Sequence, residues 1–148
     1  MNFLRPILKT LVRQRIISNT LFTRAANPKV IKQILRKAYP SGKNIDDELI
    51  EILYLPSKRK NSKEAFRGFI NLFDDYLAPD LLVKLNTPIQ LIWGEKDPWE
   101  SLNEAREWKK QFRNIKRLDI INGAGHCPHD EEPEKTNKLI NEFIQETK

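Results

Sequence analysis

Apolar residues recur at helical spacing through the first half of the chain. Phe3, Leu4, Ile7, Leu8, Leu11 and Val12 share one face of a predicted helix, with Arg5, Lys9 and Arg13 on a neighbouring face. Asn27-Pro28 reads as a cap followed by proline at the first helical position, opening a helix whose apolar side is Val30, Ile31, Ile34, Leu35 and Ala38. Tyr39-Pro40-Ser41-Gly42 ends it. A third helix is expected from about Asp46 to Leu55, its acidic first turn suited to the positive helix N-terminus. After the polar break at 56–60, a fourth begins near Ser62 and buries Ala65, Phe66, Phe69, Ile70 and Phe73.

The pattern changes after Pro79. A short helical turn at 80–85 precedes Thr87-Pro88 and the apolar run Ile89-Gln90-Leu91-Ile92-Trp93, bounded by Pro88 and Gly94, which reads as a buried strand. Ser101 with Glu104 three positions on forms the S-x-x-E pattern of a capping box, and Ala105, Trp108 and Phe112 mark the inner face of the helix it opens. Residues 117–121 read as a second strand, ending at Asn122-Gly123. Pro133 opens a last helix with Leu139, Ile140, Phe143 and Ile144 inward. Strand, helix, strand, helix is the order of a parallel β-α-β unit with a closing helix. The expected organisation is therefore a helical region over 1–78 and a β-α-β-α portion over 79–148.

Composition narrows the class. Hydrophobic residues make up 39% of the 148 and charged residues 31%, which is globular chemistry rather than that of a disordered chain. No run is long and apolar enough to span a membrane. The single cysteine, Cys127, excludes an internal disulfide and a four-cysteine zinc site, and fits a reducing, cytoplasmic compartment. The net charge of +6 is uneven. Residues 1–75 carry 15 Lys/Arg against 7 Asp/Glu, residues 76–148 carry 11 against 13, and no acidic residue precedes Asp46. Solvated helix faces explain this, and attraction to an anionic surface or a partner chain is the alternative. The basic, acid-free N-terminus shares features with organelle transit peptides, but only Ser18 occurs before position 41, so it is read as part of the fold.

The chemistry-bearing residues follow the two strands. Gly94-Glu95-Lys96-Asp97-Pro98-Trp99 comes after the first, and Gly123-Ala124-Gly125-His126-Cys127-Pro128-His129-Asp130 after the second. Neighbouring parallel strands carry the loops at their carboxyl ends to the same end of a sheet, where sites form. Asp97 and His126 are thus expected to meet, the carboxylate fixing the imidazole tautomer and stabilising the imidazolium. Glycines at 123 and 125 suit a sharp turn that lifts the next side chain clear. Trp99 is the candidate for the mouth of a substrate pocket. His126-x-x-His129 with Cys127 and Asp130 has metal-ligand residue types, but an exposed loop histidine is the reading taken for His129, and neither a metal nor a cofactor is expected. The acidic cluster of Asp130, Glu131, Glu132 and Glu134 reads as the start of the final helix, stabilised by its dipole.

These motifs resemble those of the α/β-hydrolase superfamily. Thr87 through Asp97 is similar to the acid-bearing strand and loop of that family, and Asn122-Gly123-Ala124-Gly125-His126 with Glu132-Pro133-Glu134 to its histidine loop and last helix. The nearest branch is that of epoxide hydrolases, haloalkane dehalogenases and esterase-like plant and cyanobacterial relatives. The resemblance implies an α/β fold, specifically its C-terminal part: a helical cap over 1–78, then the last parallel strands of an incomplete sheet. It implies that Asp97 orients His126 and that His126 is general base in hydrolysing an ester or similar small apolar substrate.

The family's nucleophile elbow, G-x-S-x-G or its aspartate version, has no counterpart here. Glycines stand only at 42, 68, 94, 123 and 125, and none of the five serines is flanked by glycine two positions either side. No HGGG-like oxyanion loop occurs either. The expectation is a truncated hydrolase retaining two triad members and inactive alone. A small-molecule substrate would bind once an N-terminal half completes the site. The open sheet edge favours self-association or a complementing chain, and no nucleic acid partner is expected.

Overall fold

A computed structural model describes residues 14–72 and 78–148. The expected first helix, from Phe3 to Val12 with Arg5, Lys9 and Arg13, and the expected burial of Phe73 lie outside the described residues. Two compact units are present. Among described residues, one comprises 14–33 with 46–72, and the other 34–45 with 78–148.

The first unit is helical: α1 (Arg15–Ala25), the amino-terminal part of α2 (Pro28–Ala38), α3 (Asp47–Tyr54) running into a 3-10 turn at Leu55–Lys58, and α4 (Ser62–Leu72). Periodicity did not single out α1, and its sequence shows why. Polar Ser18, Asn19, Thr20 and Thr23 interrupt the apolar positions. The hydroxyls turn back onto their own helix, Thr20 Oγ1 donating to Ile16 O and Thr23 Oγ1 to Asn19 O, both at 2.8 Å. Packing of Phe22 against Phe66 of α4, with ring centroids 5.2 Å apart, supplies what the pattern lacks. The start signals of α2 and α3 work as read. Asn27 Oδ1 accepts from Lys29 N at 2.9 Å, and the N-cap Asp46 accepts from Leu49 N at 2.7 Å. On α4, Phe66 and Ile70 are half-buried, whereas Ala65 and Phe69, expected inside, are exposed.

The second unit holds the strands. It contains the carboxyl-terminal part of α2, α5 (Ala78–Leu82), β1 (Ile89–Gly94), α6 (Leu102–Gln111), β2 (Ile115–Ile121), α7 (Pro128–Glu131) and α8 (Pro133–Glu146). Residues 34–45 are helical-half sequence that packs here, and Leu35, Ala38 and Tyr39 are buried. β1 and β2 pair in parallel, Gln90 opposite Arg117 through Gly94 opposite Ile121, with an irregularity between Ile89 and Gln90. The crossover helix α6 buries Ala105, Phe112 closes the same side, and Trp108 meets Trp93 of β1 edge-to-face at 6.2 Å. Ser101 is the N-cap of α6, but its hydroxyl makes no capping bond, so the capping box is not formed; the Ser101 carbonyl accepts from Glu104 N and Ala105 N instead.

β1 was expected to be buried. Ile89 through Trp93 are only half-buried, and Gly94 alone is fully covered. Among the described residues β1 has one neighbouring strand, so the sheet is the incomplete one anticipated, with two parallel strands. Helix α8 covers part of it with Leu139 and Phe143, while Ile140 and Ile144 are exposed. Side chains lace this edge: Gln90 Nε2 donates to Asp119 Oδ2 (2.8 Å) and Leu139 O (3.1 Å), and Arg117 reaches Asp119, Glu142 and Glu146.

Candidate active site

Parallel pairing of β1 and β2 aligns Gly94 with Ile121, so both following loops leave the sheet at one end. Three hydrogen bonds stitch the loops. Glu95 N donates to Ile121 O (3.1 Å), Lys96 N to Ala124 O (2.9 Å), and Gly123 N to Glu95 Oε2 (3.0 Å). The approach demands glycine. A Cβ at position 94 would stand 1.9 Å from Gly125 O, and one at 125 would stand 2.2 Å from Ala38 O. Gly123 adopts φ +79°, the left-handed region that glycine enters without steric cost.

Asp97 and His126, 29 positions apart in sequence, meet here. Asp97 Oδ2 lies 2.9 Å from His126 Nδ1. The other carboxylate oxygen accepts from the backbone N–H groups of Trp99 (2.9 Å) and Glu100 (3.1 Å), an Asx-type turn that fixes the carboxylate plane. The Asp97 side chain is 7% exposed against 41% for His126. Burial alone would raise the Asp97 pKa; the two N–H donors and the imidazole outweigh it and hold the carboxyl below its usual range. The acid is therefore ionised at neutral pH. With Nδ1 engaged by Asp97, Nε2 is the ring nitrogen left for proton transfer.

Trp99 stands beside the pair. Its ring meets the His126 ring edge-to-face at 4.8 Å and is about half exposed. An aromatic wall at this place limits the imidazole's rotation and leaves apolar surface exposed beside it. His129 is exposed in α7 and does not join the pair. Cys127 is half-buried, next to Tyr39, whose phenol is pushed well above its usual range by burial and by the neighbouring Asp130 and Cys127 side chains. Among the described residues, no group of three or more His, Cys, Asp or Glu side chains is arranged to hold a metal ion.

The acidic cluster divides in a way its sequence did not reveal. Glu132 pairs with Lys43 and Lys135, which hold its carboxyl below the usual range. Glu131 is 2% exposed and accepts from Gly125 N, Ser41 N and Ser41 Oγ, bridging the histidine loop to the turn after α2. Nothing in the sequence set it apart from the other acids of the cluster.

Comparison with known proteins gives the arrangement a context. No known protein-family model matches the chain. Pheophytinase of Arabidopsis thaliana, a chloroplastic protein, is 26% identical over 133 residues, covering 87% of this chain and 27% of the relative. Epoxide hydrolase 3 of Xenopus tropicalis is 28% identical over 123 residues, covering 78% of this chain and 32% of its own length. The chain thus spans about a third of the length of the curated relatives it matches. Among solved structures, an α/β hydrolase enzyme from a Medee basin deep-sea metagenome library superposes with a TM-score of 0.69 at 17% identity, over 97% of this chain and 52% of that one.

Proposed function

We propose, from the premise that this chain belongs to the α/β-hydrolase superfamily and carries the C-terminal part of its fold, that Asp97 and His126 are the acid and general base of a hydrolytic site. The observation that carries the reading is the 2.9 Å contact between Asp97 Oδ2 and His126 Nδ1, on loops at the carboxyl ends of two paired parallel strands. Asp97, ionised and oriented by the Trp99 and Glu100 N–H groups, holds a proton on Nδ1 and leaves the Nε2 lone pair free to accept one. His126 then takes a proton from a nucleophile or from the water that hydrolyses a covalent intermediate, and the nearby carboxylate stabilises the imidazolium. The substrate class is an ester or similar small apolar molecule, with Trp99 lining the mouth of its pocket.

The 148 residues contain no nucleophile elbow, so the nucleophile and the oxyanion donors must come from polypeptide outside them. On its own the sequence has too little of the catalytic apparatus for turnover. The test is hydrolysis of a short-chain p-nitrophenyl ester by the chain alone, and by the chain co-expressed with an elbow-bearing segment from one of its relatives. Turnover that appears only in the second case, and is lost with His126→Ala, is the expected result. Turnover by the chain alone that survives H126A would sink the proposal.

A second reading, that the basic helices bind an anionic surface or partner chain without catalysis, draws on the absence of any acidic residue before Asp46. No helix among the described residues is long and apolar enough to cross a membrane. Flotation with anionic and neutral vesicles tests it, and equal recovery with both would reject it.

A further inference from the structure

The most deeply buried acid of the second unit is not the one beside His126. Glu131 is 2% exposed, and burying a carboxylate costs several kcal/mol unless its lone pairs are met by donors. Its donors are specific. Oε1 accepts from Gly125 N at 2.5 Å, and Oε2 accepts from Ser41 N at 3.2 Å and from the Ser41 hydroxyl. Gly125 is the residue before His126, and His126 N itself donates to Ala38 O at 2.8 Å. The two consecutive peptide N–H groups that set the direction of the histidine side chain are thus both tied to residues 38–41, one directly and one through Glu131 and Ser41. Gly125 makes the tie possible, since a Cβ there would strike Ala38 O and the Pro40 ring.

We propose that Glu131 is a positioning residue for His126: its buried carboxylate clamps the histidine loop to the turn at Ser41 and so keeps the imidazole on Asp97. This inference rests on the acid–histidine reading above and adds a residue that never touches substrate. A carboxylate suits the task because two oxygens can accept from donors on opposite sides, with charge-assisted strength. Glutamine, with one acceptor oxygen, cannot serve both Gly125 N and Ser41 N. The 90 positions between Ser41 and Glu131 make the clamp a long-range contact within the second unit, formed only when residues 34–45 have packed there.

The tautomer of His126 distinguishes this role from plain structural support. The chain has only two histidines, so nitrogen NMR with an His129→Asn variant assigns His126 without ambiguity. In the neutral ring a close Asp97 carboxylate selects the Nδ1–H form. Asp97→Asn is expected to abolish that preference; if it does not, the acid–histidine reading itself fails, whatever Glu131 does. With that control satisfied, Glu131→Gln is expected to shift His126 to the same tautomer mixture as D97N, and the E131Q/D97N double variant to show no further change. Asn114→Ala is the stability control, since Asn114 bonds Leu82 O and Leu85 O and touches neither loop; it should lower the melting temperature and leave the tautomer alone. If E131Q does not fold, Ser41→Ala, which removes the hydroxyl that donates to Glu131 and accepts from Lys43 N but keeps the Ser41 N–H, is expected to give a partial shift. A folded E131Q, or failing that S41A, with the wild-type Nδ1–H population overturns the proposal.

Discussion

Replacing Gly94 by alanine tests whether close contact of the two loops builds the site. The new Cβ would lie 1.9 Å from Gly125 O and 2.7 Å from Ala124 O. An ordinary carbon–oxygen contact is about 3.3 Å or more, so the histidine loop must retreat by about 1.4 Å. Both atoms in the way are backbone, held by the Lys96 N–Ala124 O bond and by the anchoring of Gly125 N to Glu131, so no side chain can simply rotate aside. Overpacking of this kind costs about 1–3 kcal/mol, and losing one interloop hydrogen bond adds about 1. A total of about 2–4 kcal/mol in a unit of this size lowers its melting temperature on the order of 10–20 °C. Trp93, Trp99 and Trp108 all lie in the second unit, so tryptophan fluorescence reads its melting separately from that of the first. Gly68→Ala is the counterpart. Nothing lies within 4 Å of a Cβ at this position in α4, so alanine should stabilise the helical unit by about 0.5–1 kcal/mol, seen by circular dichroism. A G94A protein that melts within a degree or two of wild type, with the Asp97–His126 contact intact, would refute the reasoning.

Three further expectations follow from the same contacts. Asp46→Ala removes a capping bond to Leu49 N and should cost about 1 kcal/mol by denaturant unfolding, whereas Ser101→Ala, whose hydroxyl caps nothing, should cost only a few tenths. Asp97 has its folded pKa below its unfolded value, so its stabilising contribution is complete above the ordinary carboxylate pKa and is lost as pH falls through the lower folded one. The stability gap between wild type and D97N should therefore close as pH falls below about 4; a gap that keeps widening there would contradict the assignment. The half-covered β1, with Ile120, Ile140 and Ile144 exposed on the same unit, should make the isolated chain self-associate, and light scattering showing a monodisperse monomer would count against that.

The strands and the Asp97–His126 contact were legible because their signals are local. Pro88 and Gly94 bracket β1, Asn122-Gly123 ends β2, and both loops place a chemistry-bearing residue just past a glycine turn. Parallel pairing then brings Asp97 to His126 without further information. Helix α1 was missed because its hydroxyls blur the apolar stripe and its order depends on Phe22 finding Phe66. Ser101 and Glu104 have the residue types of a capping box without its geometry, since the pattern specifies composition and not the rotamer of the serine. Glu131 looked like one more acid at a helix start, because its partner Ser41 lies 90 positions away and only packing of residues 34–45 against the histidine loop and α7 makes it a clamp. Local chemistry is written in adjacent residues; support from distant ones is not.

The claim that Asp97 and His126 act together as acid and base is tested most directly in the completed enzyme. With the chain assembled with an elbow-bearing segment, kcat for ester hydrolysis is measured for wild type and Asp97→Asn. Holding the histidine in the wrong tautomer should lower kcat by about 10⁴ with little change in KM. A D97N enzyme that keeps the wild-type kcat would contradict the account.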